Sequence, residues 1–245
     1  MIKLLDENTP FPLLDDGVFS LRQRAFFDAY GLSERFFSVW VQTDEKESTV
    51  SVITSLSGDV TLSLSDGAGF EEINEFLAVI GFSSLFFNKK YSDFFSFGKR
   101  EYGKIMELRR QLPVCEVTFS EPDYRAVFDL LFNENEASFS DWFTDISYRV
   151  RRSKALIDEI RVDGKTVSCA LCQAMTDKKA LIGSVKTDEN YRNRGYATTL
   201  VTRLCSFLQQ NNLQVFLCRE NNKNEVFYSR IGFENCGEWM SIKNE

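Results

Sequence analysis

Arg192-Asn193-Arg194-Gly195-Tyr196-Ala197 is the stretch of this chain whose residue types and spacing are best suited to holding an anion. It follows an apolar run ending at Thr187. It precedes Ala197, Leu200, Val201, Leu204, Cys205 and Leu208, which fall at i, i+3, i+4, i+7, i+8 and i+11 and predict one apolar face of a helix. A strand that runs through a glycine loop into a helix leaves unpaired backbone N–H groups at the helix start, with a macrodipole of about half a positive charge behind them. Gly195 allows a close backbone approach and tolerates positive φ, and Ala197 keeps the first turn low. Arg192 and Arg194 add side-chain charge. The same six residues also read as an ordinary strand-to-helix turn with its arginines in water.

Composition narrows the chemistry further. A net charge of −7 over 245 residues repels polyanions, so neither nucleic acid nor an anionic membrane is an expected partner, and an anionic ligand has to be captured locally. The chain has no histidine, which excludes histidine-based hydrolases and histidine-ligated zinc. Carboxylates, Tyr, Lys, Cys, water and backbone are left to do any chemistry. The pair Cys169 and Cys172 has redox or zinc spacing, but it lies in a strand-like run whose alternation turns the two thiols to opposite faces. No metal is expected, and the other cysteines, Cys115, Cys205, Cys218 and Cys236, read mostly as small hydrophobes. With 43% hydrophobic and 27% charged residues, the sequence describes one large or two small soluble domains. It has no apolar run of about 18 residues and no basic, apolar leader at its start, so a cytoplasmic location is expected.

Several elements must position the loop. "EVTFS" (116–120) predicts a short strand, and "EPDYRAVFDLLFNEN" and "FSDWFTDISYRVRRSKA" predict helices. "ALIDEIRV" and "KTVSCALCQAM" are strand-like runs joined at Asp163-Gly164, a type I′ hairpin signal because both central residues of that turn need positive φ. "KALIGSVKT" is a third strand leading into the loop. After the helix come a strand, "LQVFLC", a short helix, "NKNEVFYSRI", closed by Gly232, and a last strand, "ENCGEWMSIK". The order gives a mixed α+β fold.

"GSVKTDENYRNRGYATTLVTRL" resembles the signature of the GNAT superfamily of acyl-CoA-dependent N-acyltransferases, [R/Q]-x-x-G-x-[G/A], with Arg192, Gly195 and Ala197 in the signature positions. "NNKNEVFYSRIGF" resembles that family's N-x-x-A-x-x-[F/Y]-Y-x-x-x-G-F helix, although Asn224 stands where alanine is usual. The resemblance runs from Val114 to Lys243. It implies the acyl-CoA N-acyltransferase fold, a mostly antiparallel central sheet with flanking helices, and acetyl-CoA as co-substrate. The backbone of Arg192, Asn193, Arg194, Gly195, Tyr196, Ala197 and Thr198 would then hold the CoA pyrophosphate. The pantetheine arm would lie where a bulge splays the fourth strand from the fifth, pairing with Val185 and Thr187, with Asn221 as the contacting asparagine. Amine attack on the thioester would be assisted by the Val185 N–H as oxyanion donor and by Tyr228 as general acid. The plainer reading of Tyr228, a packing aromatic beside Phe227 and Ile231 on a short helix, is the less favoured one. Asp158, Glu159, Glu189 and Glu220 are candidate bases by placement only, each more simply a solvated carboxylate. Cys218 reads as a structural thiol rather than an acyl carrier.

The first 112 residues carry the same order of three strands, glycine turn, helix and strand: "ERFFSVWVQT", "STVSVITSLS", "DVTLSLS", Asp66-Gly67-Ala68-Gly69, "FEEINEFLAVIGF" and "SSLFFN". A tandem arrangement follows, with a degenerate GNAT-like domain at 1–112 and a catalytic GNAT domain at 113–245, joined through "SDFFSFGKREYGKIMELRRQLP". The N-terminal turn has no arginine, and Glu71 and Glu72 at its helix start would repel a pyrophosphate, so one CoA per chain is expected. The function expected is an N-acetyltransferase acting on a small-molecule or peptide amine. A non-catalytic acyl-CoA-binding or regulatory module is the alternative, and a tandem aminoacyl transferase using charged tRNA a third reading that the acidic balance disfavours. The acceptor and the oligomeric state are not legible.

Overall fold

Runs of alternating apolar residues broken by Gly, Asp and Asn set the elements, and a computed structural model describes residues 1–7, 9–12, 14–132 and 137–244. In chain order these are β1 (Ile2–Leu4), α1 (Val18–Tyr30), β2 (Phe37–Thr43), β3 (Thr49–Leu56), β4 (Asp59–Leu64), α2 (Phe70–Ile80), β5 (Ser84–Asn88) and β6 (Lys99–Leu108). They are followed by α3 (Tyr124–Leu131), α4 (Phe139–Arg151), β7 (Leu156–Val162), β8 (Lys165–Met175), β9 (Lys179–Thr187), α5 (Tyr196–Gln210), β10 (Gln214–Glu220), α6 (Glu225–Ile231) and β11 (Phe233–Lys243). The chain divides into two compact units, one of Met1–Ile105, Cys218–Lys223 and Asn235–Glu245, the other of Met106–Leu217 and Asn224–Glu234.

In the first unit β1, β2, β3 and β4 pair antiparallel in sequence, β5 runs parallel to β4, and β11 pairs antiparallel with β5. The core of this unit gathers Ile53, Leu62, Ile73, Leu77, Leu85 and Phe87, and β11 contributes Met240 and Ile242 to it. The sequence division at residue 112 assigned those last residues to the C-terminal half; in space they pair with β5 and belong to the first unit.

The second unit repeats the pattern. β7, β8 and β9 form an antiparallel meander, and β10 lies parallel to β9. The β7–β8 hairpin turns at Asp163 and Gly164 with φ of 51° and 80°, both positive as a type I′ turn requires. Cys172 packs with Leu200, Val201, Leu204 and Leu208 of α5, whereas Cys169 packs with Val127 of α3 and Ile146 of α4. The two thiols therefore lie on opposite faces of β8, and the helices flank the meander on both sides. Asp123 caps α3, accepting from the Ala126 N–H at 3.0 Å.

Three local expectations change. Residues 116–120 form no strand, because α5 side chains take up the neighbouring backbone. The Cys115 N–H donates to Ser206 Oγ at 3.2 Å, its carbonyl accepts from Gln210 Nε2 at 3.1 Å, and Phe119 sets its edge on Phe207. Much of the expected join is β6, a ten-residue strand rather than a connection. β1 was not anticipated, being too short to show a period. The end of the helix expected over 121–135 lies outside the described residues from 133 onward.

Candidate active site

A cleft of about 600 Å³ opens in the second unit, lined by Val185, Lys186 and Thr187 of β9, by Tyr191, Arg192, Asn193 and Gly195 of the loop, by Tyr196, Ala197 and Thr198 of α5, and by Asn224, Phe227 and Tyr228 at α6. Its floor is made by a break in the sheet. β9 pairs with β10 only from Lys179↔Gln214 to Ile182↔Leu217. On the other side, Gly183 faces Leu171 and Lys186 faces Cys169, so Ser184 and Val185 together oppose Ala170 in a β-bulge. Ser184 takes φ 48°, the left-handed region that a non-glycine residue enters at a cost of about 1–2 kcal/mol.

At the other end of the cleft stands the start of α5. Gly195 holds φ 83°, and a Cβ placed there would meet nothing within 4 Å, so the loop presents bare backbone on an open side. The first bond of the helix runs from the Thr199 N–H to the Gly195 carbonyl at 2.9 Å. The N–H groups of the first turn precede that ladder, and no side chain of the N-cap residue occupies them. α5 is held in place from behind: Arg203 donates to Asp158 of β7 through Nε at 2.8 Å and Nη2 at 2.6 Å.

Tyr228 is 9% exposed, and burial pushes its phenol up to about 12, with the thiol of Cys205 adding to the effect. Its ring packs edge-on against Phe227 and Phe233, so the packing role and a place in the cleft hold together. Lys186 donates from Nζ to the Leu131 carbonyl at 3.0 Å, closing the C-terminal end of α3. Thr187 Oγ1 sits 2.8 Å from Ser168 Oγ.

The residues named from sequence meet here with two exceptions. Arg194 does not line the cleft; its guanidinium lies over the Tyr191 ring at 5.1 Å and donates to the Asn190 carbonyl. Asn221 falls in the first unit, where its N–H donates to the Tyr102 carbonyl at 3.2 Å, and Asn224 is the asparagine that lines the cleft. Lys186, Tyr191, Asn224 and Phe227 were missed. Lys186 could have been found from its place between Val185 and Thr187.

The four candidate bases are all engaged and none lines the cleft. Asp158 is buried, against the expectation of a solvated carboxylate; burial raises its carboxyl above the usual range while Arg203 pulls it back. Glu159 accepts from the Asp123 N–H at 2.8 Å and from Thr166 Oγ1 at 2.5 Å. Glu189 pairs with Arg192 at 3.0 Å, and Glu220 pairs with Lys223. Cys218 is pushed up to about 12 by burial, which leaves its thiol protonated and inert at neutral pH.

The first unit has a helix start in the same topological position, and its own side chains fill it. Gln42 accepts the Gly69 N–H through Oε1 at 3.0 Å and donates through Nε2 to Glu72 at 2.7 Å. Asp16 accepts the Leu64 N–H at 3.1 Å, and Tyr91 donates to the Leu64 carbonyl at 3.1 Å. The β3–β4 register runs without a shift from Ser51↔Leu64 to Leu56↔Asp59, so β4 has no bulge.

A family model described as "Acetyltransferase (GNAT) family" matches residues 117–233. Residues 117–233 belong to the GNAT acetyltransferase family. Among solved structures, a tandem GNAT protein from the clavulanic acid biosynthesis pathway is similar at TM-score 0.60 and 13% identity, covering 99% of this chain and 98% of that one. A GCN5-related N-acetyltransferase from Sphaerobacter thermophilus gives TM-score 0.58 at 14% identity, over 89% of this chain and 84% of that one. A GNAT-family acetyltransferase from Colwellia psychrerythraea gives 0.54 at 12%, over the full length of both. At such identities the likeness speaks for the fold alone. No curated protein matches the chain. Among the described residues no helix is long and apolar enough to cross a membrane, and no group of His, Cys, Asp and Glu is set to hold a metal ion.

Proposed function

We propose that the chain is an N-acetyltransferase that transfers an acetyl group from acetyl-CoA to an amine, by direct attack of the amine on the thioester in the C-terminal GNAT half, residues 113–245. The observation that carries the reading is the single cleft lined at one end by the open first turn of α5 and at the other by Val185 and Tyr228. The residues fit the co-substrate. The N–H groups of the 193–198 loop and helix start, with Arg192, would hold the pyrophosphate, and β9 beyond Ile182, no longer paired with β10, would meet the pantetheine.

In the reaction the amine nitrogen bonds to the carbonyl carbon and the carbon–sulfur bond breaks. The Val185 N–H donates to the oxyanion that forms between those events. Tyr228, protonated through the neutral range, donates its proton to the departing sulfur. Among the described residues no carboxylate lines the cleft, and the amine proton passes to water.

Residues 1–112 act as a degenerate GNAT-like half that takes no CoA. The Gln42–Glu72 plug at Gly69 and the Asp16 and Tyr91 contacts on Leu64 support this, since the groups a ligand would use already have partners. Isothermal titration of acetyl-CoA against wild type and Gly195→Glu tests the reading, followed by an amine screen. One site per chain, lost in the variant, with turnover on an amine supports it. No binding overturns it, and binding without turnover on any amine points to an acyl-CoA-binding module.

A further inference from the structure

We infer that Gln173, through Ser184, is a positioning residue that sets the direction of the Ser184–Val185 peptide and so aims the Val185 N–H into the cleft; this rests on the acetyltransferase reading given above. Gln173 lies on β8, outside the cleft lining. Its Nε2 donates to Ser184 Oγ at 2.8 Å, at the residue whose φ of 48° makes the bulge. Gly183 makes room for this contact, because a Cβ there would sit 2.7 Å from Gln173 Oε1.

The clamp is itself braced. The Gln173 carbonyl accepts from Arg149 Nη1, and Arg149 is held by both carboxylate oxygens of Asp145 one turn earlier on α4. Arg149 is buried, so its fork cannot exchange these partners for water without opening the α4 packing.

The direction follows from peptide planarity. The Ser184 carbonyl accepts from Cys169 Sγ at 3.6 Å, toward β8. In a planar trans peptide the following N–H points the opposite way, so the Val185 N–H is turned from β8. On that side β10 has already left β9 after Ile182, and Val185 lines the cleft. Without the Gln173 contact, Ser184 loses the side-chain bond that offsets its left-handed backbone, and the peptide is free to rotate back toward extended geometry. The oxyanion donor would then be present in the sequence but wrongly aimed.

The test is amide NMR on the ¹⁵N-labelled full chain, titrated with acetyl-CoA and with CoA, which lacks the thioester carbonyl. In wild type the Val185 amide proton should shift downfield with acetyl-CoA and not with CoA, while the Gly195 amide responds to both. In Gln173→Leu the Gly195 response should persist and the Val185 response should be lost, with kcat on any accepted amine reduced about 10²-fold at unchanged CoA affinity. Gln173→Glu, which can accept from the Ser184 hydroxyl, should restore the Val185 response. Ser184→Ala should reproduce the loss and carries the test if Gln173→Leu does not fold. A wild-type Val185 response in Gln173→Leu, or in Ser184→Ala, overturns the positioning role alone. Silence of Gly195 toward both ligands in wild type overturns the acetyltransferase reading, and the positioning role with it.

Discussion

The carboxylate of Asp158 holds the guanidinium of Arg203 through two hydrogen bonds of 2.6 and 2.8 Å, tying α5 to β7. One partner is nearly buried, with 7% of its side chain exposed, and the other keeps 32%, so the pair is neither a surface contact nor a fully dry one. Asp158→Ala leaves the guanidinium without its carboxylate. A loss of about 2 kcal/mol is expected by urea unfolding, below the 3–5 kcal/mol typical of wholly buried pairs because Arg203 can still reach water. The double variant with Arg203→Met should recover part of that loss.

Tyr228→Phe removes the proton donor and keeps the ring that packs on Phe227 and Phe233. We expect kcat to fall by about 10²–10⁴-fold, with CoA affinity by calorimetry and thermal stability little changed. A phenol raised to about 12 stays protonated well into the alkaline range, so the pH–rate profile should show no falling limb from this group below pH about 10. A tyrosine serving only as packing would give a Phe variant with wild-type kcat.

Gly183→Ala introduces a Cβ at 2.7 Å from Gln173 Oε1. The side chain must withdraw, and with it the bond to Ser184. A stability loss of about 1 kcal/mol or more is expected from the lost hydrogen bond and crowding, measured by thermal unfolding.

Alkaline pH should destabilise the fold through its buried thiols. Burial pushes Cys169, Cys172 and Cys218 from an ordinary 9.0 to about 12. The folded state binds these protons more tightly than the unfolded chain does. Their contribution is therefore complete below pH 9 and is lost as pH rises through about 12. Tm measured between pH 8 and about 11 should fall, and Cys172→Ala should flatten the slope while lowering Tm at neutral pH.

Truncation after residue 234 should unfold the first unit rather than trim a tail. It removes Trp239–Lys243, which pair with Ser84–Asn88, and takes Met240 and Ile242 from the core. The exposed β5 edge would favour aggregation, read by light scattering and dye binding. A fragment of residues 1–112 should show the same defect, and a truncated chain that melts like wild type would contradict the assignment of β11 to this core.

Local rules carried most of the elements. The positive φ demanded by Asp163-Gly164, the helical spacing from Ala197 to Leu208 and the alternation that separates Cys169 from Cys172 each depend on neighbours a few residues apart. The glycine loop before α5 was legible for the same reason, since Gly195 and the helix start lie within one turn of each other. Residues 116–120 and β6 were misjudged because extended chain becomes a strand only when a partner is present. Glu116–Ser120 has the composition of a strand, and the neighbouring backbone goes to α5 side chains instead.

The sequence by itself therefore determined the α+β order, the glycine turns and the candidate cleft residues Val185, Thr187, Arg192, Asn193, Gly195 to Thr198 and Tyr228. Tertiary structure alone decided the rest. It placed β11 beside β5, engaged the carboxylates of Asp158 and Glu159, set Asn224 rather than Asn221 on the cleft, and filled the Gly69 helix start with Gln42. Each of these joins residues far apart in the chain, and their pairing depends on packing and on which polar groups are left without water, not on any local period.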